Sequence, residues 1–354
     1  MRSGSQSLVT IDGTHGEGAG ALVRTALVMS ALTQQAVKIQ NVRGETRFPG
    51  LDPEDLTLIK ALIPLCRAET EGAELGSKFI SFFPTTRPSG LQGEISSVRN
   101  ESNRGANSLV LLGSLLPALA KSGVYSTITV EGETYGTNAL TYDYFENVTL
   151  QALRKVGLYA FPEQTRAGFG RESRGEVVLD VEPSGLNGIV WSDRGRLKSV
   201  NAVVATSMLP PAIGERILSH FKRLAQNSGL KIDGRLVDVS ASGPGVFVTA
   251  WATYDRGMGG GTANGTRGVR AETLAHMAFD ELFDWMSGSA TTDPYLADQL
   301  LLPLVLAEEP STFSVSRLTS RFLTIVWVIK QFTPIHITVR GSENEPGVVT
   351  IQRG

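Results

Sequence analysis

Residues 11–20 read IDGTHGEGAG, a histidine and a glutamate two apart among glycines at 13, 16, 18 and 20. On an extended segment His15 and Glu17 would project from one side. That placement suits an acid–base pair or a shared metal ion. The glycines would let the backbone come close to a ligand, and the amides opening the next helix could hold an anion. The stretch lacks the Lys and Ser/Thr that close a Walker A loop, and its glycines do not follow G-x-G-x-x-G. A plain strand-to-helix turn, with His15 facing solvent, accounts for the same letters. Spacing alone leaves these readings open.

The elements that must position these residues follow a repeating pattern. Apolar residues at helical spacing occupy 21–33, and 36–42 reads as a strand. DPEDLTLIKALIPLCRA (52–68) opens with an Asp cap, a first-turn Pro and two acids, which start a helix. A strand at 78–84 follows, then helix 105–121, strand 126–132, helix 141–156 and strand 175–183. Helices at 270–287, 294–307 and 321–331 precede strands at 335–340 and 347–352. Such units give sheets covered on one face by helices. Between them, 185–268 holds strands, one helix and a glycine-rich run, RGMGGGTANGTRG, at 256–268. The expected division is 1–184, an inserted small α/β domain at 185–268 with the glycine run as its flexible exit, and 269–354. A single continuous sheet is the alternative.

Composition narrows the function. The 354 residues are 41% hydrophobic and 19% charged with a net charge of −2, which excludes bulk disorder and a non-specific nucleic-acid coat. One cysteine, Cys66, excludes an intramolecular disulfide framework and a Cys-rich zinc site. No stretch reaches the roughly 20 apolar residues that cross a bilayer. MRSGSQS lacks a signal-peptide core. A cytoplasmic protein with no membrane partner is expected. His220, His276 and His336 fall in helix, helix and strand patterns and read as structural.

Four strings, taken in order, resemble RNA 3'-terminal phosphate cyclases: IDGTHGEGAGALVRTALVMSALT, NVRGETRFPGLDPEDLTLIKAL, EGAELGS (71–77) and YLADQLLLP (295–303). The resemblance runs from about residue 9 to residue 352. It implies an α/β (α+β) fold of three repeated helix–sheet units, similar to the C-terminal domain of a translation initiation factor, with a small inserted α/β domain. It also implies a reaction in which a histidine attacks the α-phosphate of ATP, AMP passes to an RNA 3'-phosphate, and the 2'-hydroxyl expels AMP. Such chemistry uses Mg²⁺ or Mn²⁺ on the phosphates.

On this resemblance Tyr295, Leu296, Ala297, Asp298 and Gln299 contact the nucleotide, and Glu17 binds a divalent cation or a ribose hydroxyl. Arg24 and Arg43 match basic positions of the family pattern and would hold phosphates, or else form surface ion pairs. The family histidine is missing. In FSVSRLTSRFLTIVWVIKQF (313–332) its place is taken by Arg321, which stays protonated and has no lone pair to attack phosphorus. Further departures accompany it. Gly113 replaces a glutamine, EGETYGTNAL (131–140) replaces a GGTD-type stretch, and GFGRESRGEV (168–177) introduces Arg171 and Arg174 as candidate anion ligands. His15 stands where the family has glutamine.

Three functions follow. The chain binds ATP, and an RNA 3' end or another anionic substrate, without histidine adenylylation. Alternatively it is an ATP-dependent enzyme of altered chemistry, transferring an adenylyl or phosphoryl group to a different anionic substrate gripped by Arg321, Arg171 and Arg174. Or it is an active cyclase with His15 as nucleophile. Whether it is an enzyme at all stays open at this point.

Overall fold

The computed structural model describes residues 7–136 and 140–353. In the first unit, β1 (Leu8–Asp12), α1 (Gly20–Thr33), β2 (Ala36–Gln40), α2 (Pro53–Cys66), β3 (Glu69–Glu71) and β4 (Ile80–Phe83) form a sheet of order β1-β2-β4-β3. β1 and β2 are parallel across the α1 crossover, and β4 pairs antiparallel with β2 and β3. The second unit repeats this plan. It contains β5 (Gln92–Ile95), α3 (Ser108–Ala120), β6 (Ser126–Gly132), α4 (Tyr142–Tyr144), a π-helical turn (Phe145–Thr149), α5 (Leu150–Lys155), β7 (Ala160–Arg166) and β8 (Gly175–Val181). Its order is β5-β6-β8-β7, with β5 and β6 parallel.

Next come β9 (Leu197–Ser207), α6 (Pro211–Asn227), β10 (Asp233–Asp238), β11 (Gly245–Tyr254), β12 (Gly257–Asn264) and α7 (Ala271–Ser287). Their sheet order is β10-β9-β11-β12. Then α8 (Pro294–Leu306), β13 (Ser311–Val315), α9 (Ser320–Phe332), β14 (His336–Arg340) and β15 (Gly347–Gln352) close the chain, in sheet order β13-β15-β14. A parallel bridge from Val190 to Thr312 supplies the position that β1 and β5 hold in the first two units. The third unit is thus interrupted after its first strand position, before its first helix.

The glycine run at 256–268 is not a flexible exit. It forms β12, and its glycines make room for α7. A Cβ at Gly261 would lie 2.5 Å from the Ala278 carbonyl, and one at Gly259 would lie 2.8 Å from the Trp285 ring. Helix α7, placed by the sequence reading in the third unit, packs on β12, β11 and α6, and contributes Leu274, Ala278, Leu282 and Trp285 to that sheet's own core. Two parallel bridges, Met258–Thr292 and Thr292–Val315, join the edges of the two sheets.

Helices α1, α3, α8 and α9 meet at the centre. α1 contacts α2, α3 and α9, and α3 contacts α8. Ten of the fourteen α1 residues are buried, so this helix is apolar nearly all round, as an interior helix must be. The sheets lie outside; β6 and β8 alternate buried and half-buried residues, the mark of one covered face. Cys66 is buried and its Sγ donates to the Leu62 carbonyl, while burial pushes the thiol up to about 12. No helix among the described residues is long and apolar enough to cross a membrane.

Candidate functional site

A cleft of about 270 Å³ opens where these central helices converge. It is lined by Glu17 and Arg24 from the first loop and α1, Arg43 from the loop after β2, Arg171 before β8, Asp298 from α8, and Arg321 from the first turn of α9. Residues distant in sequence are therefore brought together. Helix N-termini point toward it, each carrying partial positive charge. That of α1 begins at Ala19 with no side-chain cap, leaving its first amides available.

The first-unit wall is a tight ion network, in which only Asp55 Oδ1 is buried without a hydrogen-bond partner. Asp52 caps α2 by accepting from the Asp55 amide at 2.9 Å, and the Asp55 carboxylate accepts from the Asp52 amide in return. Arg43 donates to Asp55 at 2.7 and 3.0 Å and pairs with Asp52 at 2.8 Å. Arg24 donates to Glu54 at 2.7 Å. Glu54 also accepts from the Asn107 amide at 3.1 Å, tying the first unit to the cap of α3 in the second. Burial raises the Asp55 carboxyl to about 7 and Asp52 adds to the rise, with Arg43 and Arg24 opposing. Both readings of these arginines hold at once: they are ion-paired, and they line the cleft. Gly20 is the platform beneath them, since a Cβ there would meet both guanidinium groups at 2.4–2.6 Å.

Arg171 lies 3.7 Å from Glu54 and 3.8 Å from Glu133, a looser hold. Burial raises Glu133 to about 7 against the opposing charge of Arg171. Arg174 points elsewhere; it is exposed and pairs with Glu131 outside the cleft lining.

The third-unit wall is built by α8 and α9. Asp293 caps α8, accepting from the Leu296 amide (2.8 Å), the Gly260 amide (2.7 Å) and the Tyr144 hydroxyl (2.6 Å). Three parts of the chain so fix the start of this helix. Helical spacing then sends Tyr295, Asp298 and Gln299 to the cleft and Leu296 and Ala297 to the core, where both are fully buried. These two seat the helix and do not face the cleft. Gly113, on α3, lies opposite Gln299: a Cβ there would come within 2.9 Å of its Oε1.

Arg321 pairs with Glu17 through Nε and Nη2, both at 3.5 Å. Burial pulls the guanidinium pKa down, yet the charges of Glu17 and Asp298 outweigh this and hold it above its ordinary value. Burial raises Asp298 to about 7, opposed by Arg321 and reinforced by Glu17. Glu17 Oε2 and Asp298 Oδ1 are closed off from solvent without a hydrogen-bond partner.

His15 and Glu17 do not face one way. Gly16 and Gly18 take positive φ (61° and 60°), so the loop turns rather than running extended. His15 stacks on Trp327, with centroids 3.6 Å apart, on an exposed surface outside the cleft lining. Glu17 turns inward, its amide donating to Thr324 of α9 at 2.9 Å. No histidine lines the cleft among the described residues.

A second cavity, about 310 Å³ and largely apolar, adjoins the first. Sequence reasoning missed it, because its walls come from β11, β12 and α7 as well as from Tyr144 and Tyr295. Phe247, Ala263, Val269 and Met277 line it, with Glu281 as a polar handle. Glu281 accepts from the Thr262 amide at 2.7 Å and bonds the Tyr295 side chain. Tyr295 and Leu140 line both cavities. Gly136 is on the rim, and residues 137–139 of the EGETYGTNAL stretch lie outside the described residues.

The RNA 3'-terminal phosphate cyclase family matches residues 15–339. This chain belongs to that family. It is 35% identical to an RNA 3'-terminal phosphate cyclase of Methylococcus capsulatus over 351 residues, covering 98% of this chain and 96% of the relative. It is 32% identical to one of Gloeothece citriformis (92% and 93% covered) and 31% to one of Pyrococcus furiosus (98% and 99%). The α+β architecture of helix-covered sheets expected from the sequence is the one observed.

The divalent cation implied by the resemblance can be tested against the donors present. Among the described residues no three His, Cys, Asp or Glu side chains gather as metal ligands. Glu17, the expected ligand, already faces a guanidinium along its carboxylate edge. The described residues offer no protein-only cage for a divalent ion, and Glu17 is engaged by Arg321.

Proposed function

We propose that this cyclase-family protein binds ATP, with the base in the apolar cavity and the phosphates over the arginine-lined cleft, and that it does not form a histidine adenylate. The observation that supports this most is the junction at Tyr295, where an apolar cavity and an arginine-lined cleft meet. An elongated ligand with an aromatic end and a multiply charged end fits such a junction. The α1 amides, Arg24 and Arg43 are suited to phosphate oxygens. The RNA 3' end, named in the relatives' description, is the natural second ligand on the open side of the cleft.

Absence of the adenylate follows from the chemistry of the lining. Arg321 can stabilise a negatively charged phosphate but cannot attack it. His15, stacked on Trp327, gives the His15-nucleophile reading no support. The altered-chemistry reading draws on Arg171, whose contacts at 3.7–3.8 Å leave it able to turn toward an anionic substrate. In that case direct attack by the substrate on ATP would need only positioning and charge stabilisation.

The test is incubation with α-labelled ATP, then denaturation and a count of retained label. Wild type retains none, His15→Ala behaves alike, and Arg321→His gains label. Label on wild type that vanishes in His15→Ala sinks the proposal. Calorimetric titration with ATP, and competition by an RNA oligonucleotide ending in a 3'-phosphate, test the binding itself.

A further inference from the structure

The cleft holds more carboxylates than a phosphate site would ordinarily tolerate, and each lining carboxylate of the first unit is already neutralised by a nearby donor. Glu54 is taken by Arg24 and the Asn107 amide, and Asp52 by Arg43. On the opposite wall Arg321 pairs with Glu17, and its charge also acts on Asp298, which lines the same cleft. The guanidinium presents Nε to one oxygen of Glu17 and Nη2 to the other, both at 3.5 Å. That fork covers the edge of the carboxylate a divalent ion would need, so an ion and Arg321 compete for one seat. The pairing is also loose enough for the remaining N–H donors to face a ligand, and the Arg321 side chain is 39% exposed.

We propose that Arg321 is a resident cation: it neutralises Glu17 and Asp298 and presents positive charge to the ligand's phosphates, so that nucleotide binding by this chain needs no divalent metal. The proposal rests on the nucleotide reading above. It accounts for two features together, the absence of a gathered ligand set among the described residues and the buried oxygens of Glu17 and Asp298 that have no hydrogen-bond partner. With Arg321 in place these oxygens sit in a compensating field. Without it, two carboxylates share a partly closed site, a situation relieved by proton or metal uptake.

Two titrations on the full chain test this. ATP affinity is measured in EDTA and in Mg²⁺ for wild type and Arg321→Gln. Wild type is expected to change by less than about threefold, whereas Arg321→Gln binds about tenfold or more weakly in EDTA and regains affinity in Mg²⁺, as loss of a charge-assisted contact predicts. Separately, Mn²⁺ alone is titrated and free ion followed by its paramagnetic signal. Arg321→Gln retains Mn²⁺ and wild type does not. Wild-type binding of ATP that collapses in EDTA, or wild-type Mn²⁺ retention equal to that of Arg321→Gln, overturns the proposal. Failure of wild type to bind ATP in either condition refutes the nucleotide reading instead, and the Mn²⁺ titration still judges Arg321. If Arg321→Gln does not fold, Glu17→Gln decides. It keeps metal-independent binding if Arg321 is the cation, and loses a Mg²⁺-dependent increment if Glu17 is a metal ligand.

Discussion

The two walls of the cleft use the same residue types in opposite ways. On the first-unit wall Arg43 and Arg24 hold Asp55, Asp52 and Glu54 at 2.7–3.0 Å, a cap and an ion network in one. On the third-unit wall Arg321 stands a looser 3.5 Å from Glu17, and both walls bury carboxylate oxygens without a hydrogen-bond partner, Asp55 Oδ1 on the first and Glu17 Oε2 and Asp298 Oδ1 on the third. Short, multiply made ion pairs rigidify the elements that carry them, whereas a longer pairing leaves its donors free to turn toward a ligand. The first wall is preorganised scaffold. The second is where charge waits for a partner.

Breaking the tight wall should have the largest effect. Asp55→Ala removes a fully buried carboxylate from two arginines and the α2 capping box. A stability loss of about 3–5 kcal/mol by chemical denaturation is expected, as for other broken buried pairs. A loss under 1 kcal/mol would mean this wall is no tighter than the other.

The turn at Gly16 comes next. Gly16 holds φ +61°, and a Cβ there would fall 2.2 Å from Thr324 Oγ1, the atom that receives the Glu17 amide. Gly16→Ala should cost about 1–3 kcal/mol through left-handed strain and that collision. It should also weaken ATP binding, because Glu17 and Arg321 lose their alignment; unchanged affinity would detach the loop from the site.

A smaller, pH-dependent effect separates the walls further. With its folded pKa raised to about 7, Asp298 contributes stability below its ordinary value near 3.8, and that contribution is lost as pH rises through 7. Asp298→Asn cannot ionise. Its Tm should exceed that of wild type at pH 8 by several degrees, at about 2–4 °C for each kcal/mol in a larger domain, and match it at pH 4. A uniform offset at both pH values would show that ionisation is not the cause.

The smallest effect is expected at His15. Stacked on Trp327 at the surface, it should change stability on Ala substitution by no more than about 0.5 kcal/mol and leave ATP affinity within twofold. A larger loss of affinity would bring His15 back into the site.

Much of this was legible in the letters, and what escaped has a common cause. The central helices and strands such as β6 and β8 carry strong periodicity because they are packed on a full face, and they were found within a few residues. The strands missed, β3, β5, β7, β12 and β13, lie at the ends of their sheets' pairing orders. GlnGlyGluIle of β5, with a ladder on one side only, needs little apolar pattern, and the glycines of β12 are set by the close approach of α7. Family membership was readable from YLADQLLLP and EGAELGS, because identity and order are properties of the chain itself.

Geometry was not readable in that way. That Leu296 and Ala297 turn to the core follows from the face of α8 that packing buries. That His15 leaves the cleft while Glu17 enters it follows from two positive-φ glycines, which equally well allow an extended loop. The pairing of Arg321 with Glu17, 304 residues apart in sequence, and the junction of two cavities at Tyr295 exist only once the four sheets and their helices are packed together. The sequence alone determined which charges this protein carries and in what order; only the tertiary structure decided which of them meet, because ion pairs and cavities depend on distance in space, and local pattern encodes none of it.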